Sequence, residues 1–150
     1  MNLVRRLSIV SMIAAVGFCL SPAYAADLRV RDAWVHATVP GQPVAGAYLT
    51  LRSPTSARLV SLRSDVSGAV EIHDMSIKDG VMRMRRVETL HLVADQEIRL
   101  APGGMHLMLI GLRRPLLAGE HVDLELTTVA DDGKPSTTQL RLPVQKASLP

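Results

Sequence analysis

The sequence predicts an all-β domain, an antiparallel sandwich or barrel of seven to eight strands with Greek-key connections. Three observations carry this expectation. Apolar and polar residues alternate with period two along most of the chain past residue 26. Turn-forming residues recur at short intervals between those segments. No stretch past that point holds a 3.6-residue apolar period over the length of a convincing helix.

The strands follow in order. Residues 47–51 are rich in strand formers and end before Ser53-Pro54, and residues 58–62 form the next candidate. Residues 69–76 and 81–87 flank Asp79-Gly80, a strong signal for a two-residue hairpin. Residues 97–100 and 105–112 flank Ala101-Pro102-Gly103-Gly104. Residues 113–120, around Arg113-Arg114-Pro115, suit a turn or short helix. Residues 121–126 and 138–142 alternate strictly, with Asp131-Asp132-Gly133-Lys134-Pro135 as the turn between them. Residues 146–150 read as a loose tail.

Composition and charge exclude several function classes. The 150 residues are 47% hydrophobic and 21% charged, which is ordinary globular usage rather than disorder. Aromatics are 3%, too few for a nucleic-acid binder built on stacking platforms. The N-terminus has the order of a secretory signal peptide: Arg5 and Arg6, an apolar run over residues 7–20, then Ala23-Tyr24-Ala25. The apolar run is short for a membrane span and no stop-transfer segment follows. A lipid anchor at Cys19 would need a small residue where Phe18 stands. We therefore expect residues 1–25 to be a leader cleaved after Ala25, and residues 26–150 to be one exported, periplasmic domain. Cleavage removes Arg5 and Arg6, leaving 15 cations against 14 anions and a net charge of +1. That near-balance predicts no nucleic-acid partner and no membrane insertion. The single cysteine leaves with the leader, so the mature domain has neither disulfide nor thiolate.

The methionines are clustered. Met75, Met82, Met84, Met105 and Met108 fall within 34 residues, with His106 inside that window and His73 two residues before it. His73-x-Met75, Met82-x-Met84 and His106-x-Met108 all have a spacing of two, which puts each pair on one face of a strand. A two-residue turn at Asp79-Gly80 would set Lys78 against Val81, Ile77 against Met82 and Met75 against Met84. His73, Met75 and Met84 then share a face, and a strand carrying His106 and Met108 could close a site beside them.

Two readings of that cluster compete. Methionine fills irregular cores, so packing is one. Metal binding is the other, and the donor set then selects the metal. Thioether sulfur is soft and uncharged and suits Cu(I). Zinc sites prefer cysteine, histidine and carboxylate, calcium and magnesium need oxygen, and a blue-copper site needs a thiolate that the mature chain lacks. Without a thiolate, binding should be reversible and sensitive to oxidation state.

The segment from Glu71 to Leu112 resembles the periplasmic copper chaperones of the Cu(A)-chaperone (PCuAC) family. Their signature is His, ten residues, Met, twenty-one residues, His, one residue, Met, and His73, Met84, His106 and Met108 match it without a spacing error. Pro102-Gly103-Gly104, Asp32-Ala33-Trp34 and Ala45-Gly46-Ala47-Tyr48 are also similar to the family, and the likeness covers about residues 28–130. The resemblance implies a cupredoxin-like β-sandwich binding one Cu(I) per chain near its surface. It implies His73, Met84, His106 and Met108 as ligands, with Met75 a candidate alternate or outer ligand. It implies delivery of copper to a copper-accepting protein, a cytochrome oxidase subunit or another copper assembly factor. The chain ends without the His- and Met-rich extension of some members, so little specific Cu(II) binding is expected. Periplasmic buffering or resistance is the alternative role. A copper-dependent redox enzyme and a metal-free partner-binding β-domain are further readings, but no acid–base constellation converges and no reaction is assigned.

Other residues have blander expectations. His91 and His121 should face solvent, and Met105 should pack. Met82 lies opposite Ile77, which favours packing in the core. His36 is read as a surface histidine or an auxiliary ligand. Arg83, Arg85 and Arg86 form a solvated basic run or a docking face for an acidic partner. Asp74 is read as an exposed strand residue or as a partner that orients an imidazole.

Overall fold

A computed structural model describes residues 28–146. The expected leader and almost all of the expected tail lie outside the described residues. Within them are ten strands and no helix. They are β1 (Arg29–His36), β2 (Val44–Arg52), β3 (Ala57–Ser64), β4 (Ala69–Lys78), β5 (Val81–Val87), β6 (Leu90–Leu92), β7 (Glu97–Leu100), β8 (His106–Ile110), β9 (His121–Ala130) and β10 (Pro135–Gln145). Residues 113–120 form a turn with Leu116 fully buried beneath it.

Alternation determines which face of each strand meets the core. β2 buries Ala45, Ala47, Leu49 and Leu51, and β8 buries Leu107 and Leu109. β4 adds Val70 and Ile72. From the other layer come Leu59 of β3, Val122, Leu124 and Leu126 of β9, and Leu142 and Val144 of β10. Each of the buried Leu, Ile and Val side chains contributes about 1.5–3 kcal/mol of apolar burial, which holds the two layers together.

The strands hydrogen-bond in the order β5-β4-β8-β2-β1-β10-β9-β3-β6, with β7 also pairing β2. β3 also packs against β4, which brings this path back on itself in a barrel-like arrangement. The two halves of the path join through a parallel pair between β1 and β10, so the sheet is not wholly antiparallel as expected. Alternation in sequence carries no information about strand direction. The count also exceeds seven to eight. β6 has only three residues. β1 contains a bulge between Arg31 and Trp34, with Asp32 at φ 53°, and the extra residue breaks the period that would have revealed it.

The β4–β5 hairpin has the expected register. Asp79 and Gly80 both have positive φ, 53° and 74°, the geometry of the turn that matches strand twist. Lys78 pairs with Val81, Ile77 with Met82 and Met75 with Met84.

Replacing Gly80 by Ala should cost about 1 kcal/mol, because a Cβ is disfavoured in the left-handed region. Leu126→Ala should cost about 2–5 kcal/mol through the cavity left in the core. Urea unfolding of both variants measures these differences.

Candidate metal centre

Since Val70 and Ile72 point inward from β4, Glu71, His73 and Met75 occupy its opposite face. By the same alternation, Leu107 and Leu109 leave His106 and Met108 outward on β8. Directly paired residues share a face. His73 pairs with His106 and Glu71 with Met108; on the other side Met75 pairs with Met84 and His73 with Arg86. One outer face of β5, β4 and β8 therefore carries His73, Met75, Met84, His106 and Met108 together.

The two imidazoles are the centre of this group. Their ring centroids lie 6.1 Å apart at an interplanar angle of 49°. Met108 is two residues from His106 and diagonal to His73. Met84 is diagonal to His73 on the hairpin side, and Met75 is diagonal to His106. Such diagonal positions are about 7–8 Å apart, within reach of a long side chain. Met84 and Met108 thus flank the histidine pair from opposite sides rather than standing next to each other.

Hydrogen bonds set which nitrogen of each ring is free. His106 is only 7% exposed, and its Nδ1 lies 2.9 Å from the Gly104 carbonyl. A carbonyl can only accept, so Nδ1 carries the proton and Nε2 presents its lone pair. The Pro102-Gly103-Gly104 turn, with Gly103 at φ 84°, delivers that carbonyl. His73 Nε2 lies 2.9 Å from Glu71 Oε2 and donates to it. The other Glu71 oxygen, Oε1, is 2.9 Å from Arg86 Nη1. This leaves His73 Nδ1 buried and without a hydrogen-bond partner among the described residues. A buried nitrogen with no partner is costly unless something else satisfies it. A metal ion held between this nitrogen and His106 Nε2 would do so, and carboxylate or carbonyl support of the far nitrogen is the usual partner of a ligating histidine.

An aromatic group borders the β8 side. The β1 bulge sets Trp34 opposite Tyr48 on the outer face, with ring centroids 4.6 Å apart. Tyr48 lies 6.4 Å from the His106 ring. Gly46, which pairs with Met108, makes room for it: a Cβ there would stand 2.6 Å from the Tyr48 hydroxyl. His36 packs edge-on against both Trp34 and Tyr48, at 4.7 and 5.4 Å. It is a half-buried histidine held against these two rings. Burial pushes the His36 imidazole pKa down and the Tyr48 phenol pKa up.

Several expectations change. Met82 is 61% exposed instead of packed, because it lies on the outer face of an edge strand, turned away from the core. Asp74 alternates away from the histidines and pairs with Arg85 at 3.1 Å, so Glu71 is the carboxylate that orients His73. The signal was present in Glu71-Ile72-His73, since a spacing of two shares a face. His91 and His121 are exposed, and Met105 packs against the core, as expected. Among the described residues no three His, Cys, Asp or Glu side chains converge on one point.

The family described as "Putative lipoprotein LpqE-like" matches residues 28–143. A protein of Leifsonia xyli subsp. xyli named "Putative lipoprotein Lxx21020" is 31% identical over 130 residues, covering 85% of this chain and 76% of that protein. The solution structure of Cu(I)-DR1885 from Deinococcus radiodurans is 30% identical with a TM-score of 0.57, covering 77% of this chain and 76% of that one. The copper-bound PCuAC domain from PmoF2 superposes with a TM-score of 0.61 over 82% of this chain and 97% of that one. At 20% identity that last likeness is one of fold. Matched over nearly all of its described residues, this chain belongs to the LpqE-like family, which is related to the PCuAC domains.

Proposed function

We propose that this chain is an exported Cu(I) carrier that binds one ion per chain and releases it by ligand exchange. The observation that carries the reading is the facing pair of imidazoles with free nitrogens, flanked by thioethers on an outer sheet face. His73 through Nδ1, His106 through Nε2, Met84 and Met108 hold the ion, with Met75 as an alternate ligand. The related solved structures named as copper-bound and Cu(I)-bound support copper as the cargo. The fold is taken as a Greek-key, cupredoxin-like sandwich.

All four donors are neutral, so the bound ion keeps its charge and no deprotonated ligand locks it in place. His106 is buried and fixed by Gly104, whereas Met84 is 47% exposed. An incoming donor can approach from the Met84 side while the histidines still hold the ion. This asymmetry favours transfer to a copper-accepting protein, with assembly of a cytochrome oxidase copper site as the expected destination. No reaction is assigned to the chain.

Residues 1–25 act as the leader, and the domain works in the periplasm after cleavage following Ala25. The lipoprotein names of its relatives accord with export. In this chain Phe18 precedes Cys19, which disfavours a lipid anchor there.

Anaerobic competition against a Cu(I) chelator tests the ligand set. Met84→Leu, Met108→Leu and His106→Ala should each weaken binding by about tenfold or more, equivalent to about 1.4 kcal/mol. His91→Ala should bind as the parent does, and equal affinity in all four variants overturns the assignment. Glu71→Ala should weaken binding by about 10–100-fold through loss of His73 orientation. Asp74→Ala, on the other face, should leave the same measurement unchanged. Mixing loaded protein with an apo copper-site domain of cytochrome oxidase should move copper to that domain; retention under acceptor excess would favour buffering.

A further inference from the structure

The β4–β5 hairpin carries more sulfur than the centre uses. Met82 lies two residues from Met84 and opposite Ile77, on the face that carries the histidines. It is 61% exposed, and Ile77 is 68% exposed. Edge-strand positions of this kind are well served by threonine or valine, and an exposed methionine gains little from burial. What Met82 retains is a soft, mobile thioether on a side chain with three rotatable bonds.

The register places that sulfur in a series. Met82 is outermost. Met84 and Met75 follow as a directly opposed pair, and His73 faces His106 one position further in. Successive positions on one strand face are about 7 Å apart, so neighbouring flexible side chains can reach a common ion.

We propose that Met82 is the transient outer ligand through which Cu(I) enters and leaves the centre. The inference rests on the Cu(I)-carrier reading and specifies its route. The ion is caught by Met82 and passed to Met84 and Met75, and the histidines complete its coordination; release reverses the order. At each step one copper–sulfur or copper–nitrogen bond forms as another breaks. Copper remains monovalent and no proton moves. Met82 therefore controls exchange rate and adds little to equilibrium affinity.

The test uses the full mature chain loaded with one Cu(I) under anaerobic conditions and mixed rapidly with excess bathocuproine disulfonate, whose Cu(I) complex is coloured. Met82→Leu keeps the apolar bulk and removes the sulfur. Transfer should slow by about tenfold, with equilibrium affinity within about twofold of the parent. Ile77→Ser keeps the sulfur and strips the apolar tip, and its transfer should match the parent. Parent-like transfer in Met82→Leu overturns the proposal. So does equal slowing in Ile77→Ser, which would make the tip an apolar docking surface. A tenfold loss of affinity in Met82→Leu would make it a resident ligand and also overturns it. Failure of the parent chain to retain any Cu(I) removes the carrier reading itself, an outcome distinct from each of these.

Discussion

The pairing of His73 with His106 across β4 and β8 organises the rest of the outer face. It results from two registers meeting on one strand. β4 is fixed on one side by the two-residue turn at Asp79 and Gly80, and on the other by its pairing with β8. Slipping either register by one residue would move the donors of one strand to the inner face. Leu107 and Leu109 oppose such a slip on β8, as Val70 and Ile72 do on β4, because each would leave the core. Apolar burial on one side of the sheet thereby positions the donors on the other.

Polar contacts then refine what the backbone has placed. The Gly104 carbonyl and the Glu71 carboxylate hold opposite nitrogens of their respective rings. Arg86 satisfies the second Glu71 oxygen, so the carboxylate is anchored before it anchors the histidine. These contacts are made by residues adjacent on the same face. The outer face therefore sets two held imidazoles beside more exposed thioethers at the hairpin.

Much of this was legible in the chain itself. Asp79-Gly80 encodes its own turn, so the pairing of Met75 with Met84 could be derived residue by residue. The spacing of two in His73-x-Met75 and His106-x-Met108 encodes a shared face once strands are assumed. What stayed hidden depends on the third dimension. Met82 looked like a packing residue because its partner Ile77 is apolar, but both stand on the outer face of an edge hairpin and are exposed. Asp74 lies nearer to His73 in sequence than Glu71 does, yet alternation turns it to the other face. The bulge at Asp32, which sets Trp34 against Tyr48, breaks the periodicity by which a strand is recognised. The parallel pairing of β1 with β10 leaves no mark on periodicity at all.

In the proposed carrier, histidine nitrogen and methionine sulfur surround one monovalent copper ion on this face. X-ray absorption at the copper edge, on the chain loaded anaerobically with one Cu(I), counts those neighbours directly. Two nitrogen and two sulfur neighbours are expected, with one sulfur lost in Met84→Leu. A copper shell without sulfur, or one unchanged by that substitution, would contradict it.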